Sequence, residues 1–184
     1  LEVGAPQVAY RETITRQAPF DVTHSKQGGG PGQYANASGR IAPNEEEEYT
    51  FVDHIVGGVI PKEYRPGFDK GVQDAMQKGR LIGAPVIGLE VHLDDGKTHA
   101  VDSSVHAFRA AGRLALRQAY EKAQPVILEP VMHVVVEAPV RFAGTVIGGL
   151  NRRRSMILAN ELRGGDSVIE AETPLAEMFG YMNA

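Results

Sequence analysis

The chain has 184 residues, of which 42% are hydrophobic and 23% charged, with no cysteine and a formal net charge of -4. This composition is typical of a soluble globular protein, and it excludes a membrane protein, a small disulfide-rich domain and a disordered chain. The length allows one large domain or two small ones. The lack of cysteine suits a reducing compartment, and we expect a cytoplasmic protein.

The net charge comes from one segment. The four consecutive glutamates at residues 45–48 equal the whole formal charge, so the rest of the chain is formally neutral. The total charge therefore neither favours nor opposes nucleic acid, and an anionic partner requires a local patch. The chain begins at Leu1 rather than Met and shows no signal segment, and it stops at Ala184 just after an apolar run. These ends indicate a piece of a longer polypeptide.

Extended segments and a glycine-rich loop are predicted in the first third. β-Branched and aromatic residues predict strands over residues 7–15 and 20–27. Residues 28–32, four glycines and a proline, cannot form a regular element and predict a loop. Strands resume over residues 33–41 and, after the glutamates, 49–55. The glycine segment is therefore the tip of a hairpin or of an extended excursion.

An amphipathic helix is predicted between Pro66 and Gly79. Its apolar residues lie on one helical face and are Phe68, Val72, Ala75 and Met76. Residues 86–94 then alternate apolar and polar, which predicts a half-buried strand followed by a turn at Asp95 and Gly96. The residues of this strand that we expect to face the core are Ile87, Leu89, Val91 and Leu93.

A second, longer helix is predicted to end at Pro125. Asp102, Ser103 or Ser104 can cap its N terminus. The residues predicted for its buried face are Val105, Phe108, Gly112, Ala115, Leu116 and Ala119.

The last third has a different pattern. Residues 131–137 predict a strand, 142–150 a short helix, 155–159 and 167–173 two further strands, and a last helix begins at Leu175. This order opens a ferredoxin-like βαββαβ unit that lacks most of its second helix and its fourth strand. The predicted fold class is therefore α+β.

A domain boundary is predicted where two proline-containing pairs stiffen the chain, Gln124-Pro125 and Glu129-Pro130. The expected domains are residues 1–125 and 126–184. The incomplete second domain would expose a strand edge and a sheet face. We therefore expect a monomer with a mobile second domain, or association between copies through it.

Nucleotide-binding motifs are incomplete in this chain. A dinucleotide fingerprint from Gly28 and Gly30 needs Gly or Ala where Gln33 stands. A P-loop ending at residues 96–98 needs a glycine where Val91 stands. We expect no cofactor in this chain.

Metal binding and hydrolysis have weak support. The histidines form no metal-binding motif and are His24, His54, His92, His99, His106 and His133. Asp102, Ser103 and His106 have the residue types of a hydrolase triad, but there is no G-x-S-x-G elbow and helix capping accounts for the serines. An uncharacterised hydrolase that uses these three residues is one alternative function.

RNA binding is favoured by side chains around two loops. The glycine tip is flanked by groups that hydrogen-bond or stack, namely His24, Lys26, Gln27, Gln33 and Tyr34. Residues 97–99 (Lys-Thr-His) directly precede the long helix. A flexible tip of this kind fits insertion into a nucleic-acid groove. The cluster Arg152, Arg153 and Arg154 is either a contact with rRNA phosphates or the solvated end of a helix.

Five strings, at residues 24–34, 57–64, 99–104, 128–130 and 174–181, together resemble the C-terminal part of translation elongation factor G. The resemblance runs in order from about residue 5 to residue 181. It implies that the first domain is the fourth domain of that family, with a ribosomal protein S5-like α/β fold. The second domain is then most of the family's fifth domain.

The resemblance implies a role without catalysis by this segment. In that family the fourth domain mimics the anticodon arm of tRNA, and its tip reaches the small-subunit decoding centre during translocation. There it prevents the tRNA and mRNA from slipping back. The positions that match this tip are Lys26, Gln27, Gly28, Gly29, Gly30, Pro31, Gly32, Gln33 and Tyr34 in the first loop and His99 in the second.

Gln33 and His99 match the functional polar pair of the family. The resemblance implies that they hydrogen-bond to the minor groove of the codon-anticodon duplex, which is wide and shallow in A-form RNA. The implied partner is the ribosome, with its rRNA and the tRNA-mRNA duplex, and no membrane. GTP and Mg²⁺ belong to the N-terminal part of the factor, outside this chain.

Some positions depart from the family pattern. The family usually has a basic or small polar residue at Pro31, commonly Gly at Ala35 and Asp at Ala100. These departures leave open a paralogue that acts in ribosome recycling. The run at residues 45–48 is also unusual, and it should lie away from RNA phosphates. A stand-alone S5-like RNA-binding or ribosome-assembly module is the alternative from another class.

Overall fold

The computed structural model describes residues 7–46 and 48–183, and these form two compact units. The larger unit is Arg11–Leu128, and the smaller unit contains residues 7–10 and 129–183. Both units combine helices with sheets whose strands are mainly antiparallel, and the predicted α+β class is confirmed. No helix in the described ranges is long and apolar enough to cross a membrane.

The larger unit contains a four-stranded sheet and a two-stranded ladder. Its strands are β1 (Arg11–Thr13), β2 (Ala18–Lys26), β3 (Gln33–Pro43), β4 (Tyr49–Asp53), β5 (Leu89–Lys97) and β6 (Val126–Leu128). The sheet order is β2-β3-β5-β4, in which only β4 runs parallel to its neighbour. The ladder joins β1 to β6 and ties the two ends of the unit together. The first predicted strand, over residues 7–15, is therefore shorter than expected.

Two helices pack with this sheet around one apolar core. They are α1 (Arg65–Met76) and α2 (Val105–Tyr120). Phe68 and Phe108 are fully buried, and the Phe68 ring lies 5.7 Å from that of Phe20 on β2. Ser104 caps α2 by accepting a hydrogen bond from the Ala107 amide at 3.1 Å. The predicted face of α2 is buried except at Val105, which is 43% exposed and lies in the first turn.

The strand β5 differs from the one predicted over residues 86–94. It extends to Lys97, so the turn expected at Asp95 and Gly96 is wrong. Both residues continue the pairing with β3, which accommodates them through a register shift at Ser38/Gly39. A Cβ atom on Gly96 would lie 2.3 Å from the Asn36 carbonyl oxygen, so glycine serves close strand approach here. Ile87 lies before the strand and is only partly buried.

The helices α1 and α2 meet at backbone distance. A Cβ atom on Gly71 would lie 1.9 Å from the Arg109 carbonyl oxygen, and one on Gly112 would lie 2.1 Å from that of Phe68. Any larger side chain would force these backbones apart. The pair is also bridged by Asp74, which accepts hydrogen bonds from the Arg109 and Arg113 guanidinium groups.

We expect Gly112→Ala to lower the free energy of unfolding by about 1–3 kcal/mol, because the added methyl group overpacks the helix crossing. Urea unfolding of the purified chain measures this change. Gly30→Ala is the control, since a Cβ atom there would meet nothing within 4 Å. Equal stability of the two variants would contradict the close crossing.

A buried carboxylate fixes the segment that follows α1. The Glu12 side chain is fully buried and accepts hydrogen bonds from the amides of Leu81, Ile82 and Ala84 at 2.9–3.1 Å. The Tyr120 hydroxyl donates a fourth, at 2.5 Å. Burial acts to raise the pKa of Glu12, but these four hydrogen bonds outweigh it and leave the pKa below its ordinary value.

The smaller unit is a three-stranded antiparallel sheet with a helix on one face. Its elements are β7 (Val131–Pro139), α3 (Ala143–Arg152), β8 (Met156–Arg163), β9 (Asp166–Pro174) and the short α4 (Leu175–Met178). The strand order β7-β9-β8 is the one that the predicted ferredoxin-like unit requires of its first three strands. Leu150 on α3 packs with Ile169 and Ala171 on β9.

The opposite face of this sheet is exposed. Val135 and Met156 are 54% and 59% exposed. Within the described residues, β7 has β9 as its single partner strand. The expected mobility or self-association of this unit stays a prediction.

Candidate nucleic-acid interface

Two loops meet at one end of the larger unit. The first, residues 27–32, joins β2 to β3, and the second, residues 98–104, joins β5 to α2. Lys26 and Gln33 face each other in the strand register where the first loop begins and ends. Gly28 and Gly29 have φ angles of 112° and 73°, which favour glycine. We call these two loops, with Gln33 and Tyr34, the tip.

Hydrogen bonds between Tyr34 and the second loop, with close contact between the two loops at Gly32, make the tip one surface. The Tyr34 amide donates to the Asp102 carbonyl at 2.9 Å. The Ser103 hydroxyl donates to the Tyr34 carbonyl at 2.7 Å and accepts from the His99 amide at 2.9 Å. A Cβ atom on Gly32 would lie 2.8 Å from the Asp102 carboxylate, so the loops are in close contact there.

The side chains of the predicted polar pair are each held by a neighbour. The His99 ring stacks on the Tyr34 ring, with centroids 3.6 Å apart and planes 2° from parallel. The Gln33 side-chain oxygen lies 2.8 Å from His24 Nε2, which donates to it in the matching tautomer. The Gln33 side-chain nitrogen makes no hydrogen bond within residues 7–46 and 48–183. It is therefore a donor that remains available to a ligand.

The tip presents donors, acceptors and positive charge together. Lys26, Gln27, Lys97 and His99 are exposed, as are residues 28–31. Amide and imidazole groups can read base edges and sugar hydroxyls, and the ammonium groups can contact phosphates. The glycines allow close approach of the backbone. This combination suits contact with RNA more than chemistry on a substrate.

The stacking of Tyr34 on His99 leads to a local prediction. Tyr34→Phe should keep the ring of His99 in place, whereas Tyr34→Leu should release it, because only an aromatic ring stacks. The NMR shift of the His99 ring protons measures this through the ring current of residue 34. We expect the Leu variant to lose the upfield shift that the Phe variant retains. Identical shifts in the two variants would contradict the stacked arrangement.

Ser103 and His24 hold the tip side chains in place, and the sequence pattern does not predict these contacts. Ser103 was one of three candidate caps, and its neighbour Ser104 performs the capping. His24 is predicted as a group that could contact RNA beside the loop, and its contact with Gln33 is not predicted. The serine–acid–histidine arrangement considered above is not assembled: in the described part of the chain, no hydrogen bond joins the Ser103 hydroxyl to Asp102 or His106 side chains.

The three consecutive arginines of the smaller unit have different surroundings. Arg153 donates to the Glu177 carbonyl, and its guanidinium lies 5.1 Å from the centroid of the Tyr181 ring. Arg154 forms ion pairs with Glu129 and Glu177, at 2.9 and 3.0 Å. Arg152 is exposed at the end of α3 and forms no ion pair with another described residue. It is the member of the cluster that is most open to an anionic partner.

The acidic run lies far from the tip along β3. Glu45 and Glu46 follow Asn44, the first residue after this strand, whereas Glu47 lies outside the described residues. The strand has 11 residues, and the tip adjoins its other end. At about 3.4 Å per residue, the separation along the strand is roughly 35 Å. Glu45 and Glu46 are therefore far from the tip, and the expectation that the run avoids RNA phosphates stays a prediction. Among the described residues, no group of three or more acidic, histidine or cysteine side chains could hold a metal ion.

Comparison with known proteins gives one consistent family. The family model described as elongation factor G, domain IV, matches residues 6–124, and that described as elongation factor G C-terminus matches residues 126–184. Elongation factor G 1 of Syntrophus aciditrophicus is 54% identical over 181 residues. Elongation factor G 2 of Anaeromyxobacter dehalogenans is 49% identical. Each alignment covers 98% of this chain and 26% of the relative, so the chain spans about a quarter of their length.

A solved structure shows the same arrangement of elements. A crystal structure of a Thermus thermophilus protein superposes with a TM-score of 0.87 at 41% sequence identity. It covers 98% of this chain, which in turn covers 27% of that protein.

Proposed function

Because this chain belongs to the elongation factor G family, we propose that it is the ribosome-contacting C-terminal part of a translation factor that promotes translocation. In this proposal, residues up to about 125 act as the tRNA-mimicking domain IV, and the remainder is most of domain V. The tip enters the small-subunit decoding centre in the cytoplasm. GTP and Mg²⁺ are bound by the part of the factor that this chain does not span.

The observation that carries the proposal is the joining of the two loops through Ser103 and Tyr34. A tip that must enter RNA without folding back needs segments that support each other. Two hydrogen bonds join Tyr34, which follows the first loop, to Asp102 and Ser103 of the second loop, and a third, from the His99 amide to Ser103, stabilises the second loop itself. Gln33 and His99 are then presented with their orientations already restricted, which lowers the entropic cost of contact. Their role is to hydrogen-bond in the minor groove of the codon-anticodon duplex, so that the duplex cannot slip back.

Site-specific photocrosslinking of the full-length factor tests this placement. A photoreactive phenylalanine derivative replaces the exposed Gly30 in the first loop, and the factor is trapped on ribosomes with a non-hydrolysable GTP analogue. We expect crosslinks to small-subunit rRNA of the decoding centre or to mRNA. The same group at Arg163, in the exposed hairpin of the smaller unit, is the control and should not react there. Crosslinks from position 30 only to other ribosomal regions would refute the proposal.

A further inference from the structure

A group of exposed cations surrounds a cavity beside the two helices of the larger unit. A cavity of about 440 Å³ opens beside the last turns of α1 and α2. Val86 and Leu116 are buried and form its apolar floor. The exposed cations around it are Lys78, Arg80 and Arg117. The cavity thus combines an apolar surface with a positively charged rim.

The positive charge of this rim is not neutralised by the protein. Asp74 is the acidic residue lining the cavity, and its carboxylate is already paired with Arg109 at 2.6 Å and Arg113 at 3.2 Å. Lys78, Arg80 and Arg117 form no ion pair with any residue of the described ranges. Three cations therefore face one small cavity without an anionic partner, which favours an anionic ligand.

The buried Glu12 carboxylate holds the backbone next to Arg80. The amides of Leu81, Ile82 and Ala84 donate to this buried carboxylate, and the Gly79 amide donates to the Ala84 carbonyl at 2.7 Å. The backbone on both sides of Arg80 is therefore held. A ligand that binds Arg80 does not have to order this segment first, which favours affinity.

Arg80 and Arg117 line two neighbouring cavities. A second cavity of about 430 Å³ shares Arg80 and Arg117 with the first and is lined on its other side by Thr23 and Gln118. Because the two cavities share these two residues, we call the two cavities together the trough. The trough also contains Asp21, whose amide donates to the Gln118 side chain at 2.7 Å. A chain-like ligand can follow this trough, whereas an isolated ion would use only one part of it.

We propose that this trough, defined by Lys78, Arg80 and Arg117, binds the sugar-phosphate backbone of an RNA strand. Guanidinium groups match phosphate oxygens in a bidentate geometry, and a strand offers one phosphate per nucleotide to successive cations. Arg80 and Arg117 contact phosphates, and the apolar floor accepts a ribose or a base face. Arg117 lies 13 residues beyond the Ser104 cap, about 20 Å along α2 from the tip. The trough is therefore separate from the tip.

The salt dependence of RNA binding by the purified chain tests the proposal. The probe is a short fluorescein-labelled oligouridylate, followed by fluorescence anisotropy over a KCl series. We expect Arg80→Gln/Arg117→Gln to reduce the slope of log K against log [KCl] by about 1.4, or about 0.7 for each phosphate that the variant no longer neutralises. From about 50 to about 200 mM KCl, the unchanged chain should then lose about sevenfold more affinity than the double variant.

Matched controls separate this site from bulk charge and from the tip. Lys62→Gln/Arg163→Gln removes the same two charges at exposed positions outside the trough and should leave the slope unchanged. The tip proposal is tested separately, by crosslinking from position 30 of the ribosome-bound factor, so a failure of the tip proposal would not affect this result. Equal slopes for the unchanged chain and the Arg80/Arg117 variant, or an equal loss in the Lys62/Arg163 control, would overturn the proposal. Full displacement of the RNA by an equal charge concentration of polyglutamate would also overturn it, in favour of an acidic peptide.

Discussion

Gln33→Ala and His99→Ala, each introduced into the full-length factor, should slow translocation on the order of tenfold and leave ribosome-stimulated GTP hydrolysis nearly intact. Each change removes hydrogen bonds to RNA that we assign to the tip, and an unmade bond of this kind costs about 1–3 kcal/mol. In our proposal GTP is bound by a part of the factor that this chain does not span, so neither side chain takes part in its hydrolysis. Stopped-flow detection of mRNA movement and of phosphate release measures the two steps on the same ribosomes.

Two exposed residues of the same types provide controls for this experiment. Gln77 lies at the end of α1 and His133 on β7, and both are away from the tip loops in the chain. Gln77→Ala and His133→Ala should leave both rates unchanged. If Gln33→Ala and His99→Ala slowed phosphate release as much as mRNA movement, the assignment of the tip to translocation would be wrong.

Glu12→Ala should lower the free energy of unfolding of the chain by about 3–5 kcal/mol. The change removes a fully buried carboxylate and leaves three amides and the Tyr120 hydroxyl without their acceptor. It also opens a cavity between β1 and the segment after α1. Urea unfolding measures the loss, and Glu63→Ala, at an exposed glutamate of the same unit, should stay within about 0.5 kcal/mol of the unchanged chain.

The pH dependence of stability tests the charge of the Glu12 carboxylate separately. Its pKa in the folded chain lies below the ordinary value of 4.5, so the folded state holds this proton less tightly than the unfolded state. The stabilisation is therefore complete above about pH 4.5 and is lost as the pH falls through the folded-state pKa. The stability difference between the unchanged chain and Glu12→Gln should shrink over this acidic range. A difference that stayed constant there would show that ionisation of Glu12 is not the source.

The helices were predictable because their apolar residues repeat on one face. The spacing of Phe68, Val72 and Met76 predicted a helix between Pro66 and Gly79, and α1 ends three residues before that glycine. The turn predicted at Asp95 and Gly96 was wrong because an Asp-Gly pair can either form a hairpin turn or lie within a strand. Pairing with β3, with its register shift at Ser38/Gly39, keeps this pair within the strand. That pairing joins segments far apart in sequence, so the local sequence does not predict it.

The tip was predictable as two loops but not as one surface. Loop composition is local, whereas the Ser103 hydroxyl contacts the Tyr34 carbonyl across 69 residues of sequence. Glu12 shows the same limit. A single glutamate in a short strand is ordinarily exposed, and its burial follows only from donors about 70 residues later that the fold brings to it.

The backbone contact of α1 and α2 at Gly71 and Gly112 has a mechanical consequence. An elongated domain transmits force poorly if it bends. Helices whose backbones touch have no compressible layer of side chains at the crossing, so the pair resists bending there. The 16 residues of α2 lead without interruption away from the tip, as do the 11 residues of β3. A force applied to the tip is therefore transmitted along α2 and β3 with little deformation. We expect most of the flexibility of the larger unit to lie in its glycine-rich loop.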